Sequence, residues 1–277
     1  MTSLIRYPAP AKLNLFLHVV GRRADGYHLL QTAFTFIDRC DYLSFAPRDD
    51  GVIERVVGPD DIPAEQDLCV RAATLLRVNT GTTRGVSISL EKHLPTGAGL
   101  GGGSSDAATT LIVLNRLWNL NLSRERLREI ALELGTDVPV FVFGQSAFAE
   151  GIGEQLTAIS VPQAWYVVLT PPVHVATPSI FTDPDLTRNS IPIKILDFSS
   201  ASLRNDLEPV AKRRHDEIKQ YLQWLGAYAP ARMSGSGAAI FASFARREDA
   251  QRVLDAKPEA MQGFMAEGWQ RHPLAEF

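Results

Sequence analysis

From Lys12 to Val20 apolar and polar positions alternate, with Leu13, Leu15, Leu17 and Val19 on one face and Lys12, Asn14, Phe16 and His18 on the other. A period of two is that of a pleated strand, so Lys12 and Asn14 leave the same surface side by side. Asp25-Gly26 then supplies residues that tolerate positive φ, and strand-like patterning resumes from Tyr27 to Ile37. An antiparallel hairpin is predicted, with Tyr27 and His28 opening its return arm. After Asp67, a good N-cap, helical spacing runs to about Val78 and stops at Asn79 and Gly81; Val86-Ser87-Ile88-Ser89-Leu90 alternates again as a strand.

A glycine-rich segment follows that strand. From Ser104 onward Ala107, Ala108, Leu111, Ile112, Leu114 and Trp118 recur at helical spacing, with Ser104 or Ser105 as the expected N-cap. Another helix starts at Ser123, carries Leu127, Ile130, Ala131 and Leu134 on its apolar stripe, and stops at Gly135. Short strands are expected around Ala147 and over 165–170, then a Pro- and Asp-rich loop over 171–192 and one long helix over 207–225. The last third reads helix, glycine-serine turn, strand (238–244), helix (247–256), strand. These elements predict an α+β protein, and a composition shift near residue 155 divides it into expected domains 1–155 and 156–277.

With 45% hydrophobic and 21% charged residues the chain has the composition of a folded protein. A net charge of −3, from 28 basic and 31 acidic residues, argues against a surface that tracks nucleic acid. The basic run Lys212-Arg213-Arg214-His215 reads as the solvated face of a helix and is given no role. Cys40 and Cys69 have neither C-x-x-C spacing nor the number for a disulfide framework, which suits a reducing compartment. No basic segment followed by an apolar stretch opens the chain, and no run approaches the ~18 apolar residues of a membrane span. A cytoplasmic protein without membrane, nucleic-acid or obligate protein partner is expected. The six histidines lack ligand spacing such as H-E-x-x-H, so no protein-held metal is expected.

The segment Pro95-Thr96-Gly97-Ala98-Gly99-Leu100-Gly101-Gly102-Gly103-Ser104-Ser105 places five glycines in seven positions between a strand and a helix. Glycine costs roughly 0.5–1 kcal/mol against alanine in regular structure, so such a cluster suits a backbone that approaches something closely. Free amides and the positive end of a helix dipole favour phosphate there; a flexible loop is the alternative. On this reading a branched side chain at Gly101 intrudes where backbone meets phosphate. Gly97-x-Gly99-x-x-Gly102 matches the dinucleotide fingerprint only formally, and no G-x-x-x-x-G-K-[ST], H-R-D or D-F-G occurs, which disfavours P-loop and protein-kinase architectures. Lys12, a lone charge in an apolar strand, calls for an anionic partner and reads equally as half of a structural ion pair or as an active-site cation. Asp137 precedes Val138-Pro139 as a helix N-cap would. Gly235-Ser236-Gly237 is a turn or a set of free amides, and Tyr27, His28 and Phe181 each fit a core position as well as a site.

Taken together, Pro10-Ala-Lys-Leu-Asn-Leu15, Ala24-Asp-Gly-Tyr-His28, the loop from Pro95 to Ser105, Gly135-Thr-Asp-Val-Pro139 and Met233-Ser-Gly-Ser-Gly237 resemble the GHMP kinase superfamily. The Asp-Gly-Tyr-His hairpin, the triple glycine before Ser-Ser and Leu203-Arg-Asn-Asp-Leu-Glu208 look most like its branch acting on a cytidine-diphosphate-linked methylerythritol. The resemblance implies an N-terminal domain like domain 2 of ribosomal protein S5 and a ferredoxin-like C-terminal domain, with ATP and substrate between them. It implies ATP, with Mg²⁺ brought by the nucleotide, bound along Pro95 to Ser105, and Ser104 or Ser105 as a metal contact. Lys12 and Asp137 match the catalytic pair, with Asp137 taking the hydroxyl proton and Lys12 steadying the charge. His28 is implied to bond cytosine, Tyr27 and Phe181 to stack on it, and Asn14 to meet the erythritol end. Asp106 departs from the asparagine or small residue expected there, and sets a carboxylate beside the cradle.

Overall fold

The hairpin expected from the alternation is long: β1 (Tyr7–Arg22) runs antiparallel to β2 (His28–Arg48), with Lys12 opposite Phe36 and Asn14 opposite Phe34. Gly26, at φ 92°, turns the chain between them. The computed structural model describes residues 5–60, 62–194 and 203–277. β1 is buried on both faces, so its polar side is turned into the molecule rather than to water. That burial makes Lys12, Asn14 and His18 unusual and places them where polar partners must be supplied by the protein or a ligand.

β3 (Ile53–Val57) lies parallel to β4 (Gly85–Glu91), which pairs antiparallel with β2. Between them α1 (Leu68–Thr80) is capped as its sequence requires: Asp67 Oδ1 accepts from the Cys69 and Val70 amides at 2.8 and 3.2 Å, and Gly81 ends it at φ 70°. α2 (Gly102–Leu117), α3 (Arg124–Leu132) and α4 (Val138–Phe143) pack with α1 on one face of this sheet. The short hairpin β5 (Ala147–Glu150) and β6 (Gln155–Ala158) adds to β2.

The rest of the chain forms β7 (Trp165–Leu169), α5 (Thr177–Phe181), α6 (Glu208–Arg214), α7 (Asp216–Gly226), β8 (Arg232–Met233), β9 (Ile240–Phe244), α8 (Arg247–Asp255) and β10 (Gly263–Trp269). β10 pairs with β7 and, through Gly268 and Trp269, with Ile37 and Phe36 of β2. The spine of the sheet therefore runs β3-β4-β2-β10-β7-β9-β8, joining both halves of the chain. Among the described residues three hydrophobic clusters fill it: one under α1 to α4, one under α6 to α8, and one centred on Leu13, Phe16 and Phe241 between them.

Three expectations are corrected. α2 starts at Gly102, with Gly101 rather than Ser104 or Ser105 as its N-cap. The long helix over 207–225 breaks at His215, whose φ of −137° is extended, giving α6 and α7. The basic run is not merely solvated: Arg213 and Arg214 both hold the buried carboxylate of Asp183, pinning α6 to the loop after α5.

Candidate active site

The glycine loop closes onto β1 and onto the turn after β8. The Lys12 amide donates to Leu100 O (2.9 Å) and the Ala239 amide to Ala98 O (2.9 Å). Gly97, Gly99 and Gly101 sit at φ 69°, 73° and 72°, a left-handed region that side chains disfavour. A Cβ on Gly99 would lie 2.2 Å from Ser234 O, and one on Gly101 2.9 Å from Phe141 Cζ and 3.1 Å from Lys12 Cε. Glycine at 101 is thus demanded by its φ and by packing against Phe141 and Lys12. Gly101→Ala is expected to lower stability by about 2 kcal/mol through φ strain and this collision. It should also cut turnover, because the displaced atoms are those of Lys12. Thermal unfolding unchanged from wild type would refute the first half.

Of the segment from Pro95 to Ser105, all but Leu100 and Ser105 line a cavity of about 580 Å³, which Asp137, Lys92, His174, Thr177 and Ser236 also border. Ser105 is wholly buried, so Ser104 is the serine that faces this space. No side chain caps α2, and by helix geometry its first-turn amides have no intrahelical acceptor. They point a partial positive charge at the cavity mouth.

A second cavity of about 320 Å³ shares Ser104, Asp137, Thr177 and Ser236 with the first and adds Lys12, Asn14, Thr32, Phe34 and Phe181. At its floor Lys12 Nζ, only 2% exposed, lies 3.2 Å from Asp137 Oδ2, donates to Gly99 O at 3.1 Å and to Asn14 Oδ1, and rests 5.5 Å from the Phe34 ring centroid. Asp137 begins α4 but its side chain caps nothing; it turns instead to Lys12 with 39% of its side chain exposed. Asn14 is oriented by Nδ2 donating to Thr32 Oγ1 (3.0 Å), and its own amide donates to Ser234 Oγ (3.2 Å). Ser234 Oγ in turn donates to Gly99 O at 2.9 Å. The turn is clamped by Asn205, whose Nδ2 donates to Met233 O and Gly235 O at 2.8 and 2.7 Å.

A third cavity, about 450 Å³, continues from the second past Thr136, Ile152 and Phe181 to Tyr27 and His28. The His28 and Phe181 rings are 5.0 Å apart at 33°, while Tyr27 is 57% exposed at the rim. Burial, then Arg188 and Arg22, holds His28 below its ordinary pKa. All the residues singled out in sequence thus border one continuous space, with Ser105 and Leu100 beneath it. Sequence reasoning missed Thr32, Ser234, Asn205 and Arg188; only the Met233 to Gly237 turn and the 203–208 motif carried a signal for two of them.

Asp106 borders the first cavity, but it is only 2% exposed, so its carboxylate depends on protein partners. It and Asp41 share the single ammonium of Lys92, with Lys92 Nζ to Asp106 Oδ2 at 2.7 Å, and Asp41 Oδ1 also accepts the His93 and Leu94 amides. Burial, opposed by Lys92 and reinforced by Asp41, pushes Asp106 up to about 7. The folded protein then keeps a proton that the unfolded chain has released, so this group lowers stability as pH rises from about 4 through about 7. Asp106→Asn removes that dependence while keeping an acceptor for Lys92. Its stability relative to wild type, read from thermal unfolding, is expected to be greater at pH 8 than at pH 5 by on the order of 1 kcal/mol. A gap independent of pH would contradict this.

Residues 67–145 match the family described as GHMP kinases N terminal domain, and 189–262 that described as GHMP kinases C terminal. The chain is 59% identical to a 4-diphosphocytidyl-2-C-methyl-D-erythritol kinase of Thiobacillus denitrificans across 98% of both chains. It is 57% identical to the protein of that name from Nitrosospira multiformis, across 98% of this chain and 93% of that one. A crystal structure of 4-(cytidine 5'-diphospho)-2C-methyl-D-erythritol kinase superposes with a TM-score of 0.80 at 35% identity, covering 95% of this chain and 99% of that one. Homoserine kinase from Cytophaga hutchinsonii, at TM-score 0.65 and 19% identity over 98% and 96% of the two chains, is similar in fold alone.

Proposed function

The chain belongs to the GHMP kinases, in the family of the 4-diphosphocytidyl-2-C-methyl-D-erythritol kinases, and we propose that it phosphorylates the 2-hydroxyl of 4-diphosphocytidyl-2-C-methyl-D-erythritol at the expense of ATP. That reaction belongs to the methylerythritol phosphate route to isoprenoid precursors. The observation that carries this reading is the Lys12–Asp137 pair, 3.2 Å apart where the glycine-loop cavity meets the cavity leading to His28. A phosphate donor and a nucleotide-linked alcohol can approach that pair from opposite sides.

Asp137 takes the proton of the hydroxyl as its oxygen attacks the γ-phosphorus, and the β–γ bridging bond breaks to release ADP. Lys12 balances the carboxylate and then the negative charge gathering on the transferring group. The α2 amides hold phosphate oxygens, and Asn14, fixed by Thr32, orients the erythritol end. Phe181 and Tyr27 stack on the cytosine while His28 bonds its edge. Mg²⁺ would enter on the nucleotide and neutralise phosphate charge; the Ser104 hydroxyl, bordering both inner cavities, is the side chain suited to touch it. Among the described residues no group of three or more His, Cys, Asp or Glu side chains is placed to hold a metal ion.

Residues 1–155 are assigned to the ATP-binding and catalytic domain and 156–277 to the second, in keeping with hydrophobic clusters beneath α1–α4 and α6–α8. Two buried free cysteines suit the cytoplasmic location we assign, and among the described residues no helix is long and apolar enough to cross a membrane. The test is to incubate the purified chain with ATP, Mg²⁺ and the diphosphocytidyl substrate and to read the product by mass. A singly phosphorylated product is expected; equal rates on mevalonate or homoserine would overturn the assignment.

A further inference from the structure

We propose that Arg188 is a positioning residue for base recognition: its guanidinium fixes His28 as the neutral imidazole protonated on Nδ1, which selects cytosine over uracil. This inference rests on the reading of His28 as the partner of the base.

Arg188 Nε donates to His28 Nε2 at 3.2 Å. A guanidinium has donors and no acceptor, so Nε2 must present its lone pair and the proton of the neutral ring must sit on Nδ1. The guanidinium is not free to swing to another role. Its Nη2 donates to Phe181 O and Asp183 O at 2.9 and 2.7 Å, and its Nη1 to Leu186 O at 3.1 Å. The chain segment it grips thus carries Phe181, whose ring lies 5.0 Å from that of His28. One side chain therefore sets both an aromatic wall of the cavity and the hydrogen-bonding character of the histidine beside it.

The surrounding charges act in the same sense. Among the described residues Arg188 has no carboxylate partner, because Asp183 spends its oxygens on Arg213 and Arg214. Arg22 lies directly across the hairpin from His28, and the carboxylate of Asp25 is held by Arg23. A second proton on the ring would meet the uncompensated cation of Arg188 and the burial of the site, in line with the downward direction of the His28 pKa.

The chemical consequence is a choice between bases. Cytosine offers acceptors at N3 and O2, whereas uracil carries a hydrogen on N3. A ring locked with Nδ1–H has a donor for cytosine N3 and clashes, donor to donor, with uracil N3–H. The opposite tautomer would reverse that match. A buried donor left unpaired is worth about 1–3 kcal/mol, or roughly 5- to 150-fold in affinity.

Nitrogen-15 NMR of His28 in the full chain reads the tautomer directly. In the wild-type protein near neutral pH the Nδ1–H tautomer is expected, and Arg188→Met is expected to shift the ring toward the Nε2–H form. In kinetics the same variant should raise KM for the cytidine-linked substrate about tenfold or more, leave kcat and the KM for ATP within about threefold, and shrink the preference over the uridine-linked analogue by a similar factor. An Nε2–H or doubly protonated His28 in the wild type overturns the proposal, and that spectrum decides even if Arg188→Met does not fold. A cytidine-to-uridine preference unchanged in a folded Arg188→Met also overturns it. A wild-type chain that ignores the cytidine-linked substrate would instead defeat the assigned reaction, while the NMR result would still report the tautomer.

Discussion

Asp137→Asn is expected to lower kcat by about 10² to 10⁴ while leaving ATP affinity within about threefold. The substitution is nearly isosteric, and the side chain caps nothing in α4, so helix stability should not change. What disappears is the ability to take a proton from the attacking hydroxyl. Lys12 loses its carboxylate at 3.2 Å but keeps Gly99 O and Asn14 Oδ1, so the cation is not stranded. Steady-state kinetics together with calorimetric ATP binding separates these effects. Turnover near wild type would remove Asp137 from the chemistry, and a collapse of ATP binding would mean that its part is to hold the nucleotide.

The reason Asp137 reads as a cap in sequence is instructive. Asp before Val-Pro is a local signal, and locally the residue does begin a helix; only the tertiary fold, which brings β1 beside α4, supplies the ammonium that draws its carboxylate elsewhere. The same limit recurs. The alternation of β1 was legible, but not that its polar face would be buried, because the covering turn at Met233 to Gly237 lies more than two hundred residues away. The glycine loop was legible as a cradle from composition and from its neighbours. Its start of helix was misplaced because serine is the better cap in isolation, whereas here Gly101 takes a left-handed conformation that serine would resist. The break at His215 had no glycine or proline to announce it, and α6 is instead held by its two arginines on Asp183. Thr32, Asn205 and Arg188 act through side-chain hydrogen bonds to residues far off in the chain, for which linear spacing has no period.

Lys12→Met is expected to lower kcat by about 10² or more with a change in stability of no more than about 1 kcal/mol. Methionine preserves most of the buried stem that packs at Gly101 and under Phe34, and it removes the ammonium without leaving another charge sealed from water: Asp137, 39% exposed at its side chain, can hydrate. Gly99 O keeps the Ser234 hydroxyl at 2.9 Å, so one of the abandoned acceptors stays satisfied. The sharper result is in combination. If Lys12 and Asp137 act as one unit on one proton and one phosphoryl group, then Lys12→Met with Asp137→Asn should be little slower than the slower single variant. Losses that multiply would mean that the two residues serve separate steps, with Lys12 bound to the donor phosphate alone and Asp137 to the acceptor.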